Sequence, residues 1–537
     1  MNKQIKSVQI PGLILSISIF SFVLMAVATL LTYSSELSFT AIWSDPYYRH
    51  ITRFSFYQAL LSTLLSVLLA IPVSHALFRC HFFGKTLLLK LFATTLVLPV
   101  LVAVFGLLAI YGNSGLLAET FAYFDLPLPF SIFGLNGILL AHVFFNLPFA
   151  CRLFLQALNS IPEKQHQIAA HLGLKHWNKF RFLEWPHILG QLPHIAGLIF
   201  MLCFTSFATV MALGGGPKST TIELAIYQAI KFNFDLQTGA LLALWQIILC
   251  ALLAVFIQKI SRTNLLNTNY QGTENTFAHR TFLSTCWDVS WISLIILFVV
   301  PPLLMVVLSG LNAQFFTVLT DIKFWAALKN SLIIGSSAAF IAVSFAFLIL
   351  LASRQWRLVG LNGRADKIEM LATIILVTPG LVVSTGLFLL LREMGHIQSL
   401  ALYIVIAVNA LMSLPFVLKS LAQPMLHNAQ KYELLCASLG ISSWNRFYWI
   451  EWKALKSPIL YSLCLSFVLS IGDLSAIALF GSQSFSTLPL YLFQLLGSYQ
   501  MQSAAVVALV LLVLSVGTFI VIEKLFQLEL KKRVIND

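Results

Sequence analysis

Long apolar runs alternate with short polar segments along the whole chain. The runs fall at about 10–31, 56–76, 89–111, 133–154, 193–213, 237–258, 288–309, 330–351, 369–391, 398–418, 457–479 and 503–523. A bilayer's hydrocarbon layer is about 30 Å thick, so a helix needs roughly 20 apolar residues to cross it. In lipid every backbone N–H and C=O must be satisfied internally, and uniformly apolar runs do this as helices. The pattern predicts an all-α, polytopic transmembrane bundle of about 12 spans.

One polar, charged stretch interrupts this pattern twice. The first copy reads Gln167-Ile168-Ala169-Ala170-His171-Leu172-Gly173, then Trp177-Asn178-Lys179-Phe180 and Glu184-Trp185-Pro186. The second reads Leu434-Leu435-Cys436-Ala437-Ser438-Leu439-Gly440, then Trp444-Asn445-Arg446-Phe447 and Glu451-Trp452-Lys453. The offset is 267 residues without a gap, and eight of twenty positions are identical. Upstream, Leu147-Pro148-Phe149 aligns with Leu414-Pro415-Phe416 at the same offset. A duplication of this length implies two related halves. These are 1–258 and 288–537, joined by a Ser/Thr/Asn-rich linker at 259–287, with the repeated loops at about 155–186 and 422–453.

Within the first loop, Ser160 and Glu163 have capping-box spacing with Pro162 in the first turn, predicting a helix from Ile161 to Leu172. Gly173 is where that helix can end in a left-handed conformation. A second short helix then carries Trp177 and Phe180 on one side. In the second loop Asn428 can cap the equivalent helix. Two short helices hinged at a glycine make a knob with one large aromatic, a shape suited to a cleft on another protein.

Composition sharpens the membrane reading. The chain is 59% hydrophobic and only 10% charged, against about 25% charged in soluble domains. Mean hydropathy is +0.88. The net charge of +13 is a topology signal, not a nucleic-acid one. With the N-terminus inside, most of the 33 Lys and Arg residues fall on the inner side, as the positive-inside rule requires. Both repeated loops then face the cytoplasm, as do both termini, and the halves are parallel six-helix repeats. Lys3 and Lys6 precede a run too long for a signal-peptide core, so the first span is expected to be retained. The seven cysteines form no CxxC pair or ligand cluster and are expected to be small buried residues.

Two outer segments also repeat. One runs from Gly214-Gly215-Gly216-Pro217 to Thr220-Thr221-Ile222-Glu223, the other from Gly481-Ser482-Gln483 to Thr487-Leu488-Pro489. No Gly-Lys-Ser/Thr follows the glycines, so they form no phosphate loop. They are expected to be tight returns at an outer gate, with Gly214, Gly215, Glu223 and Gly481 as gate candidates. Asp473 is the notable acid within a span. It could face a translocation path, bond to a neighbouring helix, or end the span early. Its partner in the first half is Ser206. His142 and Asn146 are expected to pack helices together.

The repeated loops resemble the EAA loops of importer permeases of the ATP-binding-cassette class, most clearly at Leu172-Gly173, Leu439-Gly440 and Pro186. Gln167 stands at the acidic position in the first copy; in the second, Leu434 stands there with Glu433 one residue earlier. Further stretches resemble the fused two-half permeases of the iron(III) and thiamine branch, on the thiamine and thiamine phosphate side. They are Arg53-Phe54-Ser55-Phe56, Leu98-Pro99-Val100-Leu101-Val102-Ala103-Val104-Phe105-Gly106, Ala141-His142-Val143-Phe144-Phe145-Asn146-Leu147-Pro148 and Gly214 to Tyr227. The resemblance implies a type I importer permease fold in a bacterial inner membrane. It implies two copies of an ATPase subunit docked on the loops and a periplasmic binding protein delivering thiamine. The implied coupling residues are Gln167, Ala169, Leu172, Gly173, Trp177, Glu184, Glu433, Leu439, Gly440, Trp444 and Glu451. ATP and magnesium would belong to the partner subunits. This chain would hold no cofactor or metal and would catalyse no reaction itself.

Other classes fit less well. An iron(III) permease is the nearest rival within the class. A secondary transporter would need embedded ionisable residues in both halves and leaves the duplicated loops unexplained. A membrane enzyme would need a nucleophile–base pair or metal cluster, and the sequence offers neither.

Overall fold

The computed structural model describes residues 2–34, 39–95, 97–260, 281–376, 378–395, 397–441 and 443–536, and all regular structure among them is helical. The first part contains α1 (Asn2–Tyr33), α2 (Thr40–Ser44), α3 (Pro46–Arg79), α4 (Lys85–Thr95), α5 (Val100–Tyr111), α6 (Leu116–Tyr123) and α7 (Leu135–Asn159). After it come α8 (Glu163–His171), α9 (His176–Lys179), α10 (Trp185–Phe204), α11 (Phe207–Leu213), α12 (Ile222–Lys231) and α13 (Leu236–Ile260). The remainder opens with α14 (Phe282–Gly310), α15 (Phe315–Thr320), α16 (Ile322–Leu358), α17 (Asn362–Ala372), α18 (Gly380–Glu393) and α19 (Ile397–Ser438). It closes with α20 (Ser443–Arg446), α21 (Trp452–Ile471), α22 (Ser475–Phe480), α23 (Leu488–Gly497) and α24 (Met501–Asn536). Most of the linker expected at 259–287 lies outside the described residues.

Among the described residues, eleven helical stretches are long and apolar enough to cross a membrane, one fewer than the hydropathy pattern predicts. The exception is the run at 369–391. It breaks into α17, a 3-10 turn at Ile374–Leu376 and the 14-residue α18. Pro379 sits at the start of α18 in an extended conformation (φ −57°, ψ 145°). Proline has no N–H to bond the preceding turn and drives its predecessor away from helix. Pro99 breaks the run at 89–111 in the same way, between α4 and α5. The breaks are tolerated because Leu98, Leu101 and Leu381 around them are buried in protein, away from lipid.

One apolar core runs through both parts of the chain. The first helix of each part packs on the other part. α1 lies against α16 and α18, and α14 lies against α3, α5 and α24. Two glycines permit these crossings. A Cβ at Gly106 of α5 would come within 2.4 Å of the Pro302 carbonyl oxygen on α14, and one at Gly386 of α18 within 2.3 Å of the Ala26 oxygen on α1. Close backbone approach through small residues is how helices associate when lipid removes the hydrophobic drive.

Polar side chains in the bundle bond between helices. His142 Nδ1 lies 2.8 Å from Ser62 Oγ, and Asn146 Nδ2 donates to Cys203 Sγ at 3.1 Å. Asn409 Nδ2, at the position equivalent to His142, donates to the carbonyl and hydroxyl of Ser470, at the position equivalent to Cys203. Five of the seven cysteines are buried, Cys80 is partly so, and Cys286 is exposed.

Candidate functional site

α3 and α16 are 34 and 37 residues long. At 1.5 Å per residue that is about 50 Å and 55 Å, well beyond the apolar layer. Their last turns carry His75 and Arg79, and Arg354 and Arg357. These ends meet the two repeated loops, through Glu184 in the first and Glu451 in the second.

The loops share their local geometry wherever they share sequence. Gly173 and Gly440 have φ of +67° and +64°. The Leu174 N–H reaches back to the Ala169 carbonyl at 2.9 Å, and the Ile441 N–H to Cys436 at 2.9 Å. This is the bonding of a Schellman-type helix end, which favours glycine because a Cβ is strained at positive φ. After a short helix in each copy, one wider π turn follows, at Phe180–Glu184 and Phe447–Glu451. The wider turn inserts an extra residue and turns the glutamate inward.

The lead-ins differ, and two sequence expectations fail there. No capping box forms at Ser160. Its hydroxyl bonds back to the Ala157 carbonyl at 2.7 Å, and Pro162 occupies the cap position of α8, not its first turn. Asn428 caps nothing, because α19 runs unbroken for 42 residues from span into loop.

The candidate coupling residues divide into two groups. Gln167, Leu172, Trp177 and Leu439 face outward, with Leu172 71%, Trp177 68% and Leu439 63% exposed. Gly173 and Gly440 shape the knobs. Trp177 stacks near Phe180, ring centroids 5.5 Å apart. Ile168 and Phe182 add to the exposed apolar surface. Ala169 faces inward, as do Glu184 and Glu451, which are 2% and 3% exposed. Glu433 forms an ion pair with Arg446 Nη1 at 2.7 Å. Trp444 begins α20 with Ser443, but its side chain lies outside the described part.

The two inward glutamates tie the loops to the long helices. Glu184 Oε2 accepts from His75 Nε2 at 2.8 Å, and Lys179 Nζ stands 3.8 Å from Oε1. Glu451 Oε1 accepts from Arg354 Nη2 at 2.7 Å and from Arg446 Nε at 2.9 Å. Sequence reading missed His75, Lys179, Arg354 and Arg446. Their signal was basic residues in the last turns of unusually long apolar runs, at loop spacing from an acid.

At the other end, both spans that follow the loops break early. α10 stops at Phe204 before Thr205-Ser206, and α21 stops at Ile471 before Gly472-Asp473. Asp473 stands at this break, one residue before the cap position of α22. It accepts from Ser475 Oγ at 2.8 Å and from the Ala476 N–H at 3.4 Å. These bonds stay within three residues of chain. The segments after Gly214 and Gly481 lead into α12 and α23, whose first N–H groups bond Ser55 Oγ and Ser331 Oγ at 3.0 and 2.8 Å. These helices start after Thr221 and Thr487, so the structural match is one residue out of register with the Thr220–Thr487 alignment. Gly215 and Gly216 both have positive φ. Glu223 is buried on α12, and Lys231 on the same helix bonds the carbonyls of Leu479 and Gly481 at 3.0 and 2.9 Å.

An all-α, multi-pass helical bundle with two matched loops is consistent with a membrane permease component. Residues 350–527 match the family described as "Binding-protein-dependent transport system inner membrane component". Over 516 residues the chain is 46% identical to the thiamine transport system permease protein of Escherichia coli, covering 96% of both chains. It is 44% identical to that of Salmonella typhimurium, covering 96% of both, and 42% identical to that of Haemophilus influenzae, covering 92% of this chain and 93% of the relative. The chain belongs to the family of thiamine transport system permease proteins.

Proposed function

We propose that this chain is the membrane-spanning subunit of an ATP-driven importer that carries thiamine, and its phosphates, from periplasm to cytoplasm. It sits in a bacterial inner membrane with both termini in the cytoplasm. Its halves, 1–258 and 288–537, form parallel repeats of a type I importer permease fold. Two copies of a separate ATPase subunit dock on the loops at 155–186 and 422–453, and a periplasmic binding protein delivers substrate to the opposite face. Nucleotide-driven movement of the loops rocks the halves between inward-open and outward-open states.

The observation that carries this reading is the pair of exposed apolar knobs. Each is built on a left-handed glycine and a π turn at the same offset, at one end of a bundle whose relatives are named as thiamine permeases. Large exposed apolar surface rimmed by polar residues marks a protein contact. Asp473, at the break after α21, and Glu223, on α12, are the acids this reading assigns to offset a cationic substrate's lost hydration.

The test is uptake in cells lacking this chain and complemented with it. Labelled thiamine should accumulate, unlabelled thiamine and thiamine diphosphate should compete, and ferric citrate should not. Competition by ferric citrate alone would replace thiamine with iron(III) as the cargo.

A further inference from the structure

The two buried glutamates hold equivalent places in the loops but face different cations. From this we infer that Glu184 and Glu451 are positioning residues that link the docking knobs to α3 and α16, and that the first link is pH-dependent while the second is not. The inference rests on the docking reading above.

The geometry supplies the argument. Each glutamate closes a π turn, is almost fully buried, and accepts a bond of 2.8 or 2.7 Å from the last turns of a long helix. These bonds bridge 109 and 97 residues of chain. A knob pushed by a partner must therefore move α3 or α16 with it. Arg354 and Arg446 are charged at every physiological pH. Imidazole is the side chain that ordinarily changes charge near neutrality, about pH 6.5.

The other charged and titratable groups around His75 come from several elements. Glu184 and Lys179 belong to the loop, and Arg79 stands one turn along α3. Asp288 on α14 pairs with Arg79 at 3.5 Å. His166 on α8 acts on Glu184 through space, with His187 and Glu163 beyond it. Burial and then the Lys179 ammonium hold the His166 pKa below the usual imidazole value. Protonated His75 gives Glu184 a charge-assisted bond. As pH rises and the proton leaves, Nε2–H can still donate to the carboxylate, but the attraction between an imidazolium and a carboxylate charge is gone. The first link thus has a cation that can lose its charge, and is stronger with the proton than without it, while the second has guanidinium groups that keep theirs.

The experiment uses the complex with its ATPase in liposomes, and reads thiamine-stimulated ATP hydrolysis at about pH 6 and about pH 8, on either side of the imidazole range. Each variant is expressed as a ratio to wild type at the same pH, which cancels the ATPase's own profile. His75→Gln keeps a neutral donor, so its ratio should be near one at the higher pH and fall about threefold at the lower, where the ion-pair attraction is missing from the variant. Arg354→Gln should lose activity by one factor at both. A spin label at Lys175→Cys, on the exposed first knob, reads the link without any ATPase. Its mobility should rise with pH in wild type and stay constant in His75→Gln. A pH-independent His75→Gln ratio, or a wild-type label that ignores pH, would overturn the assignment. Failure of the wild-type chain to retain the ATPase would instead remove the docking reading, and the label would still decide the link.

Discussion

The first and second loops are alike from their glycines to their inward glutamates and unlike before them. Where the residues repeat, so does the backbone: Gly173 and Gly440, the bonds to Ala169 and Cys436, and the π turns coincide at one offset. Before that point the first loop is separated from its span by Ser160, Ile161 and Pro162, while the second is a direct continuation of α19. A shared loop shape is thus mounted on one hinged arm and one rigid arm. The rigid arm also has the stronger anchor, two guanidinium groups on Glu451 against an imidazole and a more distant ammonium on Glu184. The knob is held constant, and the attachment to the bundle is where the halves diverge.

The largest effect should come from breaking the stronger anchor. Arg354→Met leaves Glu451 buried with Arg446 alone. Removing one partner of a buried ion pair costs about 3–5 kcal/mol. His75→Met should cost about 1–2 kcal/mol, the scale of one hydrogen bond lost from a buried acceptor. Unfolding in detergent compares the two. Equal losses would show that the anchors do not differ in strength.

A comparable loss should follow from copying the hinge into the rigid arm. Ala429 stands at the position equivalent to Pro162 and is buried inside α19. Ala429→Pro removes a helix bond and sets the ring against the Met425 carbonyl, at about 3 kcal/mol. Pro162→Ala, at a cap that already lacks a side-chain bond, should stay within about 0.5 kcal/mol. If both substitutions were tolerated, α19 would not be the rigid member of the pair.

Much of this contrast was invisible in the sequence, for identifiable reasons. The spans, the duplication and the glycine ends were legible because they are local: apolar runs, fixed spacing, and a residue suited to positive φ. The break at Pro379 was hidden because its flanking residues are apolar, so hydropathy reads through it. The Ser160–Glu163 pattern misled because a serine hydroxyl can equally bond back to its own helix. Asn428 misled because packing against α16 and α21 carries the helix through a residue that would otherwise favour a cap. His75 and Arg354 were missed because they reach Glu184 and Glu451 from about a hundred residues away, at the ends of helices whose length only the fold reveals, while Lys179 and Arg446 lie five residues before their glutamates, across a π turn that the sequence does not announce.

A smaller and symmetrical effect belongs to the glycines. Gly173→Ala and Gly440→Ala each force a Cβ into the left-handed region, where the cost is about 1–2 kcal/mol. No atom lies within 4 Å of the added Cβ in either case, so backbone strain is the whole effect. The two losses should match within about 0.5 kcal/mol, the usual spread for equivalent independent sites. A larger difference would break the claim that the knobs themselves are equivalent.

Trp177→Ala should have the least effect on the chain and yet a clear effect on its partner. The indole is 68% exposed, and its ring contact on the loop is a tilted one with Phe180, centroids 5.5 Å apart. Removing an exposed side chain away from the core changes stability by about 0.5 kcal/mol or less. A large aromatic that becomes buried at an interface can contribute about 2 kcal/mol or more, which is roughly thirtyfold in affinity. Unfolding in detergent should therefore be unchanged while ATPase retention on purification falls. Phe180→Ala is the control, because Phe180 is partly buried and also meets His75 and Trp185. It should lower both stability and retention. If Trp177→Ala destabilised the chain as much as Phe180→Ala does, the indole would be part of the loop's own packing. If it left retention intact, the first knob would dock through Leu172, Ile168 or Phe182 instead, and the shared tryptophan would not be the contact the two loops have in common.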